Sequence, residues 1–158
     1  MSQDQTQDNT PVFMIEKLYL KDASLELPNA PQGFLQRETP EISVQLGNDS
    51  TPLENGLFQT TVTVTVTASV QEKTLFLVEV VQAGIFRIMH IPAQDMPFLL
   101  NVTCPNILFP YAREAVSDLV TRGGFPPVVL NPVSFEGLYQ QRLQQAEANA
   151  VPSSELAQ

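Results

Sequence analysis

Residues 60–70, TTVTVTVTASV, alternate threonine and valine over most of a strand's length. Successive side chains of a strand point to opposite faces of its sheet. One face of this segment therefore carries Val62, Val64 and Val66, which require a core, and the other face carries threonines. The alternation predicts a strand in a sheet that is covered on one side only.

Other segments around this one also have the composition of strands. Apolar and β-branched residues fill residues 12–27, 41–47 and 74–88, and turn-forming residues separate them. The Thr/Val segment itself extends over residues 57–70, and only residues 71–73 separate it from the strand that follows. So short a connection predicts an antiparallel hairpin, and the four segments together predict an antiparallel four-stranded sheet.

The second half of the chain has helical periodicity. Apolar residues recur at helical spacing within residues 111–120, and Gly123-Gly124 ends the run. Pro105 and Pro110 are predicted to lie in first turns, where a missing N–H costs little. Asn131, followed by a proline, predicts the N-cap of a last helix. We therefore predict an α+β fold with two main helices packed on one face of the sheet.

The length of 158 residues suits one domain. Residues 12–143 are predicted to form it. Residues 1–11 and 144–158 are polar with few bulky apolar groups, and both are predicted to be disordered tails.

Charge and composition exclude several classes of function. The net charge is -9, with 17 acidic against 8 basic residues, which argues against nucleic acid as a partner. No apolar run approaches the ~20 residues of a membrane span, so no membrane insertion is expected. Without a secretion-signal pattern, and with Cys104 as the only cysteine, the expected location is the cytoplasm.

Residues with catalytic potential are few. His90 is the only histidine, so a histidine metal site or a triad has no second member. Cys104 precedes a proline in an apolar setting, which predicts a buried structural thiol. No phosphate-binding glycine loop and no calcium-loop spacing is present. The sequence therefore predicts no catalytic residue, no metal and no cofactor, and a protein that is not an enzyme.

The face of the sheet opposite the helices, here called the open face, has a composition of its own. Strand parity places Asp22 and Glu26 on one side of the first strand, and Leu77 and Glu79 on one side of the fourth. If the valines face the helices, all four lie on the open face, where the carboxylates stay solvated. This arrangement has two interpretations: a solvated face with one incidental leucine, or an acidic docking surface with an apolar contact.

The chain also resembles the SecB family of bacterial protein-export chaperones. The resemblance lies in ordered blocks that span nearly the whole predicted domain: LYLKDASLELPNAP (18–31), VTVTASV (64–70), FLVEVVQAGIF (76–86), CPNILFPYARE (104–114) and RGGFPPVVLNPVSFEGLY (122–139). It implies an antiparallel four-stranded sheet with two main helices, assembled into a homotetramer that is a dimer of dimers. The helices would lie between two sheets, with an interface at Tyr111, Ala115, Val116 and Leu119.

The resemblance further implies two binding functions. On the open face, Asp22, Glu26, Leu77 and Glu79 would dock SecA, the motor ATPase of protein export. Unfolded precursor proteins would be held without ATP in surface grooves lined by Phe34, Leu35, Phe135, Leu138 and Tyr139. Ordinary core packing is an equal alternative for Phe135. An adaptor of the same fold without a precursor client is the alternative function.

Overall fold

A computed structural model describes residues 8–150 and contains one antiparallel sheet. Its strands are β1 (Val12–Glu26), β2 (Glu41–Pro52), β3 (Leu57–Val70) and β4 (Lys73–Met89), in the spatial order β1-β4-β3-β2. The predicted antiparallel four-stranded sheet is confirmed, and β3 has the predicted bounds.

β2 is longer than predicted. Its predicted end was Gly47, but it continues to Pro52, which pairs with Phe58 of β3. The hairpin turns further on, at Asn55 and Gly56, whose φ angles are 58° and 74°. Asn-Gly is the dipeptide that best tolerates two positive φ values in a tight hairpin turn.

Two bulges interrupt β1. Ile15 and Lys17 pair with neighbouring residues of β4, as do Leu20 and Asp22, so one extra residue is inserted at each place. Each extra residue reverses the alternation of the side chains that follow it. As a result, Leu18 and Leu25 both pack against the core although their spacing is odd.

The first helical region is continuous from residue 96 to residue 122. A short α1 (Met96–Phe98) leads through a π-helical turn (Leu99–Thr103) into α2 (Cys104–Arg122). Pro105 lies in the first turn of α2, as predicted. Pro110 does not: it lies inside the helix, on the exposed side, where water can solvate the carbonyl that has lost its helical donor.

The last helix, α3 (Phe135–Ala150), begins three residues after the predicted proline. The Gly137 N–H donates to Ser134 Oγ at 3.1 Å, so Ser134 caps the helix in place of Asn131. Residues 144–150 continue α3 instead of forming a disordered tail. The remaining tail residues, 1–7 and 151–158, lie outside the described residues, and residues 8–11 precede β1.

The core lies between α2 and the valine face of the sheet. Val62, Val64 and Val66 are fully buried, and α2 covers β3 and β4. Gly84 permits the close approach, since a Cβ there would lie 3.0 Å from a methyl group of Leu108. Within residues 8–150, no helix combines the length and apolar character required to span a bilayer.

Candidate functional site

Strand pairing brings the predicted docking residues together on the open face. Glu26 pairs with Leu77, which pairs with Thr67 on β3; Glu79 pairs with Thr65. Residues paired in this way project to the same side of a sheet. Asp22 lies on the same side, because it pairs with Val81, next to Thr63. We call Asp22, Glu26, Leu77 and Glu79 the acidic patch.

The acidic patch is open to solvent. All three carboxylate side chains are exposed and Leu77 is half-buried. The cations Lys17 and Arg87 of this face lie toward its other end, where Arg87 Nε donates to Glu16 Oε1 at 2.8 Å. Arg87 is eight residues from Glu79 along β4, or about 27 Å, well beyond the ~8 Å screening length of physiological salt. The Glu16–Arg87 ion pair therefore does not neutralise the patch; Lys21, the bulge residue directly before Asp22, is the nearest cation along the chain.

A second candidate surface begins at the 3₁₀ turn Gln32–Leu35. The Phe34 ring stacks on the Phe125 ring, with centroids 5.0 Å apart. The centroid of the Phe125 ring lies 5.1 Å from that of the Phe76 ring. Gly124, at φ +86°, lies beneath Phe34, where a Cβ would approach the ring to 3.0 Å. Leu35 beside it is 79% exposed. The turn thus presents apolar surface on a fixed aromatic base.

Exposed apolar side chains also lie along β2. Phe76, Ala68 and Ile42 form one row across three strands, so the aromatic base adjoins β2. Ile42 and Val44 face the core side but lie beyond the cover of α2, and Val44 is 48% exposed. The outer edge of β2 carries no further strand among residues 8–150.

The far end of this surface reaches α3. Val44 and Leu46 line a cavity of about 260 Å³ together with Val64, Phe109 and the segment 130–133. Leu46 also lines a second cavity, of about 330 Å³, with Leu138 of α3. We call the whole surface, from Leu35 along β2 to Leu138, the β2 groove.

The predicted groove residues thus have different positions. Phe34, Leu35 and Leu138 lie along the β2 groove, and Tyr139 is half-buried against the core. Phe135 is 1% exposed and meets Phe109 edge to face at 5.9 Å, so its prediction as a groove residue is corrected to a core position. Ile42, Val44 and Leu46 were not predicted as groove residues; the sequence predicted only that residues 41–47 form a strand.

The two apolar rows of α2 lie in different environments. Ala112, Val116 and Val120 are fully buried against the sheet, so Val116 is a core residue and not the interface residue that was predicted. The other row faces outward: Tyr111 is 49% exposed, and Ala115 and Leu119 are half-buried. A single chain therefore leaves an apolar row on the outer side of α2.

Cys104 is fully buried beside Thr60. Burial raises the pKa of the Cys104 thiol to about 12, although a hydrogen bond with Thr60 opposes the shift. His90 lies apart on the surface, where its Nδ1–H donates to the Thr10 carbonyl at 2.9 Å. A buried thiol with a raised pKa is a poor nucleophile, because the thiolate is the reactive form.

We expect Cys104 to react with an alkylating reagent at pH 8 only as fast as the native chain opens, and rapidly once the chain is denatured. Unfolded thiols titrate near pH 8.5, whereas the folded thiol stays protonated until about pH 12. The contribution of this group to stability is therefore fully present below the unfolded pKa and falls as pH rises above it. Mass spectrometry of timed alkylation measures the rate; equal rates with and without denaturant would contradict the burial.

Comparison with known proteins gives matches to one family over most of the chain. The family model described as "Preprotein translocase subunit SecB" matches residues 6–146. The protein-export protein SecB of Methylobacillus flagellatus is 58% identical over 144 residues, covering 90% of this chain and 92% of the relative. That of Chromobacterium violaceum is 60% identical over 143 residues, covering 90% and 95%.

A solved structure shares the fold. The Mycobacterium tuberculosis SecB-like chaperone, in complex with a ChAD peptide from the HigA1 antitoxin, superposes with a TM-score of 0.59. It is 21% identical, and the alignment covers 77% of this chain and 91% of that one.

Proposed function

This chain belongs to the SecB family of protein-export chaperones, and we propose that it holds unfolded precursor proteins in the β2 groove and delivers them to the SecA motor ATPase. The holding step needs no nucleotide and no cofactor, and the proposed role is binding alone, without catalysis. We further propose that it acts in the cytoplasm, before precursors reach the membrane.

The observation that carries this proposal is the exposed apolar surface beside a free strand edge. Val44 is 48% exposed and Leu35 is 79% exposed. An extended client segment could place side chains on this surface while its backbone pairs with the outer edge of β2. Every unfolded chain carries apolar side chains and backbone groups, so such recognition is broad in specificity.

Tight binding of a client would come from many weak contacts in combination. Burial of one large apolar side chain contributes roughly 1.5–3 kcal/mol, which alone gives weak binding. Several grooves in one assembly would engage separate segments of the same client, and linked sites raise the overall affinity without new contacts. A folded protein offers no such extended segments and would be released.

Delivery requires a surface that remains open while a client is bound. The β2 groove runs on the core side of β2, and the acidic patch lies on the opposite face of the sheet. We therefore propose that the patch docks SecA through Asp22, Glu26, Leu77 and Glu79 while the groove holds the client. Exposed carboxylates steer a basic partner and Leu77 adds an apolar contact.

We propose a homotetramer, a dimer of dimers, in which the outer row of α2 is buried between sheets. Leu119→Asp should therefore reduce the mass in light scattering from four chains of 17.5 kDa to two or one. The reason is that a carboxylate without a partner is costly to bury at an apolar interface. Ser117→Asp, about 200° around the same helix, is the matched control and should leave the mass unchanged. A tetrameric Leu119→Asp variant would contradict this interface.

The function is tested by capture of a denatured precursor on immobilised protein, beside the same precursor in its folded form. The proposal predicts retention of the unfolded chain only. An adaptor of the same fold would ignore the denatured precursor and retain a folded partner, and that result would replace the proposed function.

A further inference from the structure

Glu79 has an arrangement that no other acidic side chain of the patch shares. It lies between two hydroxyl residues in one row across the sheet, with Ser24 on β1 and Thr65 on β3. Thr65 Oγ1 donates to Glu79 Oε2 at 3.2 Å. The carboxylate is thus turned toward β3 and away from β1.

The orientation of the Glu79 carboxylate affects its distance from the other two carboxylates of the patch. Asp22 and Glu26 lie on β1, two pairs before and two pairs after Ser24, so both are diagonal neighbours of Glu79 on the same face. Side chains in diagonal positions lie ~7–8 Å apart or less, within range of like-charge repulsion. A carboxylate bonded to β3 keeps its distance from both. The negative charge of the patch is therefore spread to either side of β4, the strand that carries Leu77.

Thr65 differs from its neighbours in the threonine ladder. Thr63 pairs with Val81 and Thr67 pairs with Leu77, and neither of those partners accepts a hydrogen bond through its side chain. A polar face alone accounts for Thr63 and Thr67, since threonine favours strands and tolerates water. It does not account for a hydroxyl bonded to the one carboxylate that lies between two others.

We propose that Thr65 is a positioning residue of the acidic patch, one that fixes the Glu79 carboxylate on the β3 side so that SecA meets separated charges around Leu77. This inference rests on the proposed docking function. A valine substitution separates the hydroxyl of Thr65 from its structural role in the strand, because valine has nearly the same shape and a high strand propensity. Thr65→Val therefore removes the hydroxyl and retains the strand.

The test measures the dissociation constant for purified SecA by calorimetry at low and physiological salt, using the full-length assembly. Thr65→Val should weaken binding roughly two- to fivefold, because solvent screens an exposed interaction with a carboxylate and reduces its contribution below that of a buried one. Thr65→Ser, which keeps the hydroxyl, should restore the original affinity. Thr63→Val is the matched control and should change nothing, and none of the three should alter capture of a denatured precursor.

A double-mutant cycle with Glu79→Gln shows whether Thr65 acts through Glu79. In the Glu79→Gln background, Thr65→Val should cause much less further loss than it causes alone. Equal losses from Thr65→Val and Thr63→Val, or the same loss with and without Glu79, would overturn the positioning role alone. Unchanged binding by Glu79→Gln and by Glu79→Lys would overturn the docking proposal as well, so the two failures are distinguishable.

Discussion

Glu79→Lys should weaken binding to SecA roughly tenfold or more and leave capture of unfolded precursors unchanged. The substitution replaces an attractive charge with a repulsive one beside Leu77, and each close pair near a surface is worth about 1 kcal/mol or more. A change of about 1.4 kcal/mol is already tenfold in affinity. Glu79 is exposed, so the fold should tolerate the change.

The matched control is Asp49→Lys. Asp49 pairs with Thr61 on the same open face, so the substitution makes the same change in net charge. Thr61 is six residues from Thr67 along β3, which puts Asp49 about 20 Å along the sheet from the level of Leu77. Calorimetry with SecA gives the affinities, and refolding or capture assays give client binding. If both variants lost SecA affinity equally, net charge and not the acidic patch would explain the effect. If Glu79→Lys also lost client binding, the two binding surfaces would not be separate.

Val44→Asp should weaken binding of an unfolded client roughly tenfold while SecA affinity stays the same. Val44 lies at the centre of the β2 groove, between Ile42 and Leu46, and also lines the cavity beneath residues 130–133. A bound client would have to cover the new carboxylate, which adds a desolvation cost to the lost apolar contact. Because Val44 is already 48% exposed in the free chain, the cost to folding should be much smaller.

Ser43→Asp controls for the poor strand propensity of aspartate. Ser43 is the preceding residue of β2 and pairs with Thr67, so its side chain points to the open face. Fluorescence anisotropy with a labelled unfolded precursor gives the affinities, and calorimetric melting checks that both variants fold. Equal client affinity of the two variants would contradict the β2 groove as the client-binding surface.

The parts of the fold that could be predicted are those with unambiguous periodicity. Thr/Val alternation predicted β3 and both of its faces. With a period of two, placing the valines in the core determines the face of every other side chain in the strand. The placement of Asp22 and Glu26 on the open face followed from parity within residues 21–27. The same count begun at Leu18 would have failed, because it would have crossed the bulge at residue 21.

Other features depend on packing that periodicity does not specify. Both rows of α2 are apolar, so the sequence could not tell that Val116 faces the sheet while Tyr111 faces outward. Phe135 has the spacing of a surface stripe, yet the chain before α3 directs it onto Phe109. Ile42 and Val44 alternate like core residues, and only the position of β2 at the edge, beyond α2, leaves them exposed.

The most direct test of the central claim is the refolding of a slow-folding precursor from denaturant, with increasing amounts of this protein and no nucleotide. The proposed function predicts that folding is arrested near one tetramer per precursor, and that it resumes when a competing unfolded chain is added. Refolding at an unchanged rate, with the tetramer intact and in excess, would contradict the claim that this chain holds unfolded precursors.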